Sequence, residues 1–255
     1  MNLFELNNYL NSFLCKENFL SDPSKNGIQI QNSDPLAKEI KTVAFAVDAC
    51  EKSALIAAQN NADVLICHHG LFWGNCTPIV NSHYIRISAF LQNDLALIAY
   101  HLPLDANNPY GNNFGLAKKI GLNNLEQFGF WHNMKIGVRG EFDYPKSIDE
   151  ISLLIGKHTH TEPQKFSFGK KQIKTVGISS GGSSDLTQQA ADEKLDLFIS
   201  GEFSHEDYHL AQELGINVIA AGHYGTEIIG VSLIKEKIEK ELALKTIFID
   251  LPTGL

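Results

Sequence analysis

Three short stretches of this chain carry residue types that can hold a metal ion. Cys67-His68-His69-Gly70 follows the apolar run Val64-Leu65-Ile66, His101-Leu102-Pro103-Leu104-Asp105 follows Ala99-Tyr100, and His223-Tyr224-Gly225-Thr226-Glu227 follows Ala221-Gly222. Together they offer four imidazoles and two carboxylates. That mixture suits Zn, Fe, Mn, Ni or Co, and the absence of a cysteine cluster beside it argues against a structural thiolate zinc. Six ligands exceed what one open site needs; a pair of metals bridged by a carboxylate would use them. Taken singly, each stretch has a plainer role open to it. His68-His69 can pack or cap, His101 and His223 can be hydrogen-bonded polar groups, and Asp105 and Glu227 can cap helices.

Two further motifs compete for attention. His205-Glu206-Asp207-Tyr208-His209 matches the H-E-x-x-H of zinc proteases, with Ser204 placed as a helix N-cap. His205 would fall in the first turn and no third ligand follows at a protease spacing, so a surface helix with acids at its positive end is the expected reading. Ser179-Ser180-Gly181-Gly182-Ser183-Ser184-Asp185 joins a strand to a helix. It could present backbone N–H groups to a phosphate, but it is neither a Walker loop nor G-x-G-x-x-G, so a flexible turn capped by Ser184 or Asp185 is expected. Leu71-Phe72-Trp73 follows the double histidine; packing is its default role, and Trp73 could line a pocket.

The elements that must position these residues alternate. Apolar, β-branched runs predict strands at Thr42 to Val47, Asp63 to Cys67, Leu95 to Tyr100, Thr175 to Ser179, Leu195 to Ser200, Ile216 to Ala221 and Lys245 to Asp250. Helical spacing predicts helices at Glu51 to Asn60, Ser184 to Glu193 and Ser204 to Leu214. This is an α/β order with mostly parallel or mixed sheets, whose ligands collect at the carboxyl ends of strands. Pro103 is expected to keep its loop extended. An offset of 133 lays Thr42-Val43-Ala44-Phe45 on Thr175-Val176-Gly177-Ile178 and Asp63-Val64-Leu65-Ile66 on Asp196-Leu197-Phe198-Ile199; an offset of 122 lays His101 to Asp105 on His223 to Glu227. A duplicated lobe follows, with the irregular stretch Gly121 to Trp131 between the copies. The expected division is a first lobe over 1–130 carrying His68, His69, His101 and Asp105, and a second over 131–255 carrying His223 and Glu227.

Composition narrows the partners. With 255 residues, 44% hydrophobic and 20% charged, the chain can bury a sizeable core without staples. A formal charge of −8 argues against broad binding to nucleic acid or acidic membranes and favours a small-molecule substrate. Cys15, Cys50, Cys67 and Cys76 form no C-x-x-C pair, as expected in a reducing, cytoplasmic setting. The start, Met1 to Leu10, reads as an amphipathic helix and not a signal peptide, and no apolar run is long enough to span a membrane.

The order of Asn26-Gly27-Ile28-Gln29, Ala46-Val47-Asp48, Ile66 to Phe72, His101 to Asp105, Ser179-Ser180-Gly181-Gly182, Gly201-Glu202-Phe203-Ser204-His205 and Gly222 to Glu227 resembles the Nif-three-like dinuclear metal proteins, often labelled GTP cyclohydrolase I type 2 homologues. The resemblance spans nearly the whole chain. It implies two intertwined, duplicated α/β lobes with the metal site in the crevice between them, a ring-shaped homohexamer, and two divalent metal ions per chain. His68 and His69 would each bind a different metal, Asp105 joining His69, His223 joining His68, and Glu227 bridging both. His101 would lie beside the pair, able to move a proton. Where the family commonly has His-His-Pro, this chain has Gly70. The activity implied is metal-dependent hydrolysis, of a nucleotide such as GTP with Ser180 to Ser184 on its phosphates, or of a phosphoester or amide. The other class left open is a non-catalytic metal-carrying scaffold or regulator.

Overall fold

A computed structural model describes residues 1–255 and shows a mixed α/β protein with two sheets and nine α-helices. In chain order these are α1 (Leu3–Leu14), β1 (Gly27–Ile30), β2 (Thr42–Asp48), α2 (Glu51–Gln59), β3 (Val64–His69), α3 (Asn81–Gln92), β4 (Ala96–Ala99), α4 (Leu102–Asp105), α5 (Asn112–Lys119), β5 (Asn123–Trp131), β6 (Met134–Lys146), α6 (Ile148–Thr159), β7 (Gln164–Phe166), β8 (Ile173–Ser179), α7 (Thr187–Asp192), β9 (Leu197–Ser200), α8 (His205–Leu214), β10 (Asn217–Ala220), α9 (His223–Leu242) and β11 (Lys245–Phe248). Two compact units result: residues 1–104 with 231–251, and residues 105–230 with 252–255. The sequence reading divides the chain once, near residue 130. A linear pattern cannot register that the latter part of α9 and β11 return to the first unit, because that return is a matter of strand pairing.

In the first unit the sheet order is β1-β4-β3-β2-β11, parallel except for the edge strand β1. Val64 to Cys67 is buried throughout, as a central parallel strand covered on both faces should be. Its core gathers Leu65, Leu97, Phe90 and Ala54 from the strands and the helices over them. Helix α1 begins with a capping box between Asn2 and Glu5 and buries Leu3, Leu6, Leu10 and Leu14 on one face, the amphipathic start that the spacing predicts.

The second unit has the order β5-β6-β8-β9-β10-β7. Here β8, β9 and β10 are parallel, and β7, β6 and β5 are added antiparallel. The stretch 121–131, expected to be irregular, is mostly the strand β5, paired with β6 around a His132-Asn133 turn in which both residues have positive φ. Its polar composition hid it, because much of β5 is exposed and does not alternate cleanly.

The repeat holds at the level of single hydrogen bonds. Asp63 Oδ2 accepts from the amides of Lys41 and Thr42 at 2.8 and 2.9 Å; Asp196 Oδ2 accepts from Lys174 and Thr175, both at 3.0 Å. Each clasp ties the entry of one parallel strand to the start of its neighbour. The helix before each acid ends through a left-handed residue, Asn61 (φ 55) or Lys194 (φ 58). The third strands begin alike, with Leu95 N on Phe90 O and Ile216 N on Ala211 O, but 121 positions apart instead of 133. The shortening falls between the second and third strands, so a single ungapped comparison cannot show it.

Although burial opposes it, hydrogen bonds from Lys170 and the two amides hold the Asp196 carboxyl below the usual carboxylate range. Its contribution is therefore present at neutral pH and lost as pH falls through that depressed pKa. Asp196→Ala should cost about 2 kcal/mol in a urea melt at pH 7, with the deficit shrinking as pH drops below the usual Asp value of about 3.9. A deficit unchanged down to the acid limit would contradict the ionised clasp.

Candidate metal centre

In the first unit, His68 and His69 are the last two residues of β3, and His101 follows the end of β4. Their ligand nitrogens lie within 4.8 Å of one another. The ring centroids of His68 are 4.5 Å from His69 and 5.0 Å from His101. Each ring is held at Nδ1. His68, fully buried, meets the Tyr100 carbonyl at 3.1 Å; His69 meets Asp48 Oδ1 at 2.9 Å; His101 meets Asp22 Oδ1 at 2.9 Å. An imidazole whose Nδ1–H is donated to an oxygen has its tautomer set, and Nε2 is left to face a metal.

The anchors are placed by the fold. Asp48 ends β2 directly opposite His69 in the parallel register. Asp22 sits in a loop bound to its surroundings from several sides, accepting from Ser24 N, Asn26 Nδ2 and Leu102 N. Burial pushes the Asp22 carboxyl up, but the hydrogen bond to His101 and those from Asn26 and Ser24 outweigh it and hold it low. Trp73 walls the group, its ring centroid 4.9 Å from His101, and its Nε1–H donates to Gly70 O at 2.8 Å.

Gly70 also acquires a role. Gln29 Oε1 accepts from Leu71 N and Phe72 N, at 2.7 and 3.2 Å, and a Cβ on Gly70 would run into that amide. The glycine makes room for the side chain that latches the turn after the two histidines.

In the second unit, Asp105 is buried and its Oδ1 accepts from Ser180 Oγ at 2.7 Å and Asn112 Nδ2 at 2.8 Å. It closes α4, a single helical turn. Pro103 was expected to hold this segment extended; it instead lies in the first turn, where a missing N–H loses no helical bond. His223 and Glu227 share a face one turn apart at the start of α9. His223 Nδ1 meets Glu202 Oε1 at 2.5 Å and its Nε2 meets Glu227 Oε1 at 3.1 Å, with Glu227 only 2% exposed. The hydrogen bond to Glu227 is the foremost cause, and the charge of Glu227 and the bond to Glu202 add to it, in raising the His223 pKa to about 9.

The serine-glycine turn is held by hydrogen bonds from within the chain. Ser180 N donates to Asn113 Oδ1, Gly181 N to Thr226 Oγ1, Ser183 Oγ to Ser179 O and Ser184 Oγ to Asp207 Oδ2. These groups hold the turn and Asp105. Gly181 has φ 64, and a Cβ there would strike Glu227 Oε1, so the turn closes over that carboxylate only as glycine. The H-E-x-x-H residues lie on α8, where His205 and His209 are exposed with ring centroids 6.5 Å apart and neither joins a metal-holding group. Sequence reasoning missed Asp22, Asp48 and Glu202 as anchors; the signal lay in the fragments containing Asp48 and Glu202, whose acids had no assigned purpose.

A repeated α/β lobe carrying, on strand ends and one helix start, imidazoles and carboxylates that could hold a metal ion is the class that fold and site define. The profile of the Duf34/NIF3 (NGG1p interacting factor 3) family matches residues 1–253, and the chain belongs to that family. A relative named GTP cyclohydrolase 1 type 2 homolog from Pyrococcus horikoshii is 40% identical over 252 residues, 98% of each chain. Another of that name from Archaeoglobus fulgidus is 39% identical over 255 residues, the whole of both. The crystal structure of TTHA1606 from Thermus thermophilus is similar with a TM-score of 0.90 at 36% identity, covering 100% of both chains.

A His223 pKa raised above its unfolded value stabilises the metal-free fold fully below about pH 6.5, and that contribution is lost as pH rises through about 9. In chelator-treated protein, the His223 ring should titrate by NMR near 9, and in Glu227→Gln it should move down toward 6.5. A midpoint that ignores the substitution would refute the pairing.

Proposed function

We propose that His68, His69, Asp105, His223 and Glu227 hold two divalent metal ions, that Glu227 is shared by both, and that the protein is a metal-dependent hydrolase of a small molecule. The observation that carries this reading is the common anchoring of four imidazoles at Nδ1, by Asp48, Asp22, Glu202 and the Tyr100 carbonyl, which is how metal-binding histidines are oriented. The donor set fits the group. It is nitrogen and oxygen only, and Cys67 belongs to none of the groups whose ligand atoms come together.

When bound, such metals lower the pKa of water and polarise a carbonyl, phosphoryl or C=N group. The chain's own residues supply the rest. Asp22 accepts His101 Nδ1–H, so that Nε2 can take a proton and return it, and the carboxylate, held ionised, stabilises the imidazolium that forms. Ser180 and Asn112 fix the rotation of Asp105, while Glu202 fixes His223. Trp73 shields the edge of His101. The names of the relatives point to a nucleotide such as GTP as one substrate to try. No helix is long and apolar enough to cross a membrane. A cytoplasmic protein assembled from copies of itself, as the resemblance implies, completes this reading.

Metal titration followed by mass spectrometry should find about two ions per chain in the parent, a defect at one site in Asp105→Ala, and joint weakening in Glu227→Ala, where two cations lose a shared counter-charge. His209→Ala should leave metal content unchanged. Two undiminished, independent sites in Glu227→Ala would disprove the bridge.

Metal-loaded protein incubated with pooled nucleotides and metabolites should deplete one of them. Chelation should stop this, and His101→Ala should slow it by about 10²–10⁴-fold with metal retained. Turnover by metal-free protein would overturn the hydrolase reading.

A further inference from the structure

The second unit contains a cleft of about 760 Å³ that the metal ligands do not fill. It opens at the carboxyl ends of β9 and β10, where ligands of open α/β sheets bind, and its size is that of a small-molecule site. Gly201 and Gly222 leave part of its floor as bare backbone. A Cβ on Gly201 would meet the Gly181 backbone at 2.7 Å, so no side chain can intrude there. Glu202, the anchor of His223, lines the cleft and links it directly to the His223–Glu227 pair.

Acceptors dominate the lining chemistry. Glu162 and Glu202 bring carboxylates and Gln164 a side-chain carbonyl; the imidazole of His160 is the one basic side chain, and no lysine or arginine lines the cleft. Glu162 and Gln164 are exposed, and their side chains make no hydrogen bond within the chain. Phe203 adds an aromatic wall, packed from behind by Phe166 at a ring-centroid distance of 4.8 Å. A phosphate or carboxylate would meet repulsion here. A planar cation with several N–H donors meets charge-assisted acceptors on its edge and an aromatic face alongside, the arrangement that suits guanidinium better than ammonium.

We propose that this cleft is a recognition pocket for a guanidinium-type group, and that it selects the substrate of the metal centre. The role in selection rests on the metal reading above; binding by the cleft does not. The repeat gives the division of labour a physical basis. Gly201-Glu202 occupies the position that His68-His69 occupies in the first unit, 133 residues earlier, so the same strand end that carries ligands in one copy carries an acceptor and an open floor in the other.

The probe is 1-butylguanidinium, titrated into the full chain with and without metal and followed by amide NMR. Saturable shifts are expected at Gly201, Phe203 and Gly222, with butylammonium about tenfold weaker and butyrate without effect on the metal-free chain. Glu162→Gln and Phe203→Leu should each weaken butylguanidinium about tenfold while leaving metal content unchanged. The amide spectrum reports in the same experiment that each variant is folded. Absence of saturable shifts at those residues, equal binding of butylammonium, or indifference to both substitutions would overturn the proposal. Metal uptake on the same samples separates the two readings. Butylguanidinium binding in a chain that takes up no metal supports the pocket and overturns the metal centre; metal uptake without butylguanidinium binding does the reverse.

Discussion

An imidazole offers a metal only one good nitrogen at a time, and which one depends on what the other nitrogen is bonded to. In this protein four histidines share one arrangement at Nδ1, and His223 also meets Glu227 through Nε2. An acceptor sits on Nδ1 of His68, His69, His101 and His223, at distances between 2.5 and 3.1 Å. Three of the acceptors are carboxylates, which fix the orientation of the ring they hold. The remainder of the architecture can be understood as the means of bringing those acceptors to the right places. Parallel pairing of β2 with β3 sets Asp48 opposite His69, the end of β4 supplies the Tyr100 carbonyl, and the residue two beyond β9 is Glu202.

Close approach is the second constraint, and glycine is how the chain meets it. Gly181 lets a turn lie against Glu227, Gly201 lets that same turn pack on the start of α9, and Gly70 yields its side-chain space to Gln29. The expected family pattern has proline after the two histidines. Here stiffness comes from Gln29, whose carbonyl oxygen receives two successive amides of the loop.

Duplication gives the two lobes one frame and leaves their loops to diverge. The aspartate clasps at Asp63 and Asp196, the left-handed residues before them and the bond from the entry of the third strand to the helix before it recur in both. These contacts lie at the amino ends of the parallel strands or in their pairing, where they determine stability. The carboxyl ends are free to differ, and they do. One bears His68-His69, the other Gly201-Glu202 beside an acceptor-lined cleft. Along the strand axis, the contacts the two lobes share are thus separate from the residues in which they differ.

Much of this was legible in the residues. Apolar runs mark β2, β3, β4, β8, β9, β10 and β11 because buried parallel strands must be continuously hydrophobic, and the repeated His-x-x-x-acid pattern singles out His101, Asp105, His223 and Glu227. Local patterning failed where the determining contact was distant. The exposed strand β5 exists by virtue of its pairing with β6, and Pro103 tolerates a helical turn because it stands at that turn's beginning. The anchors Asp22 and Asp48 lie 79 and 21 residues from the rings they hold. Sequence alone determined which residue types were available for metal chemistry, since ligand identity is a property of side chains. Only the tertiary structure decided which oxygen meets which Nδ1, since a hydrogen bond depends on position and a chain folded into parallel strands brings together residues that no local spacing relates.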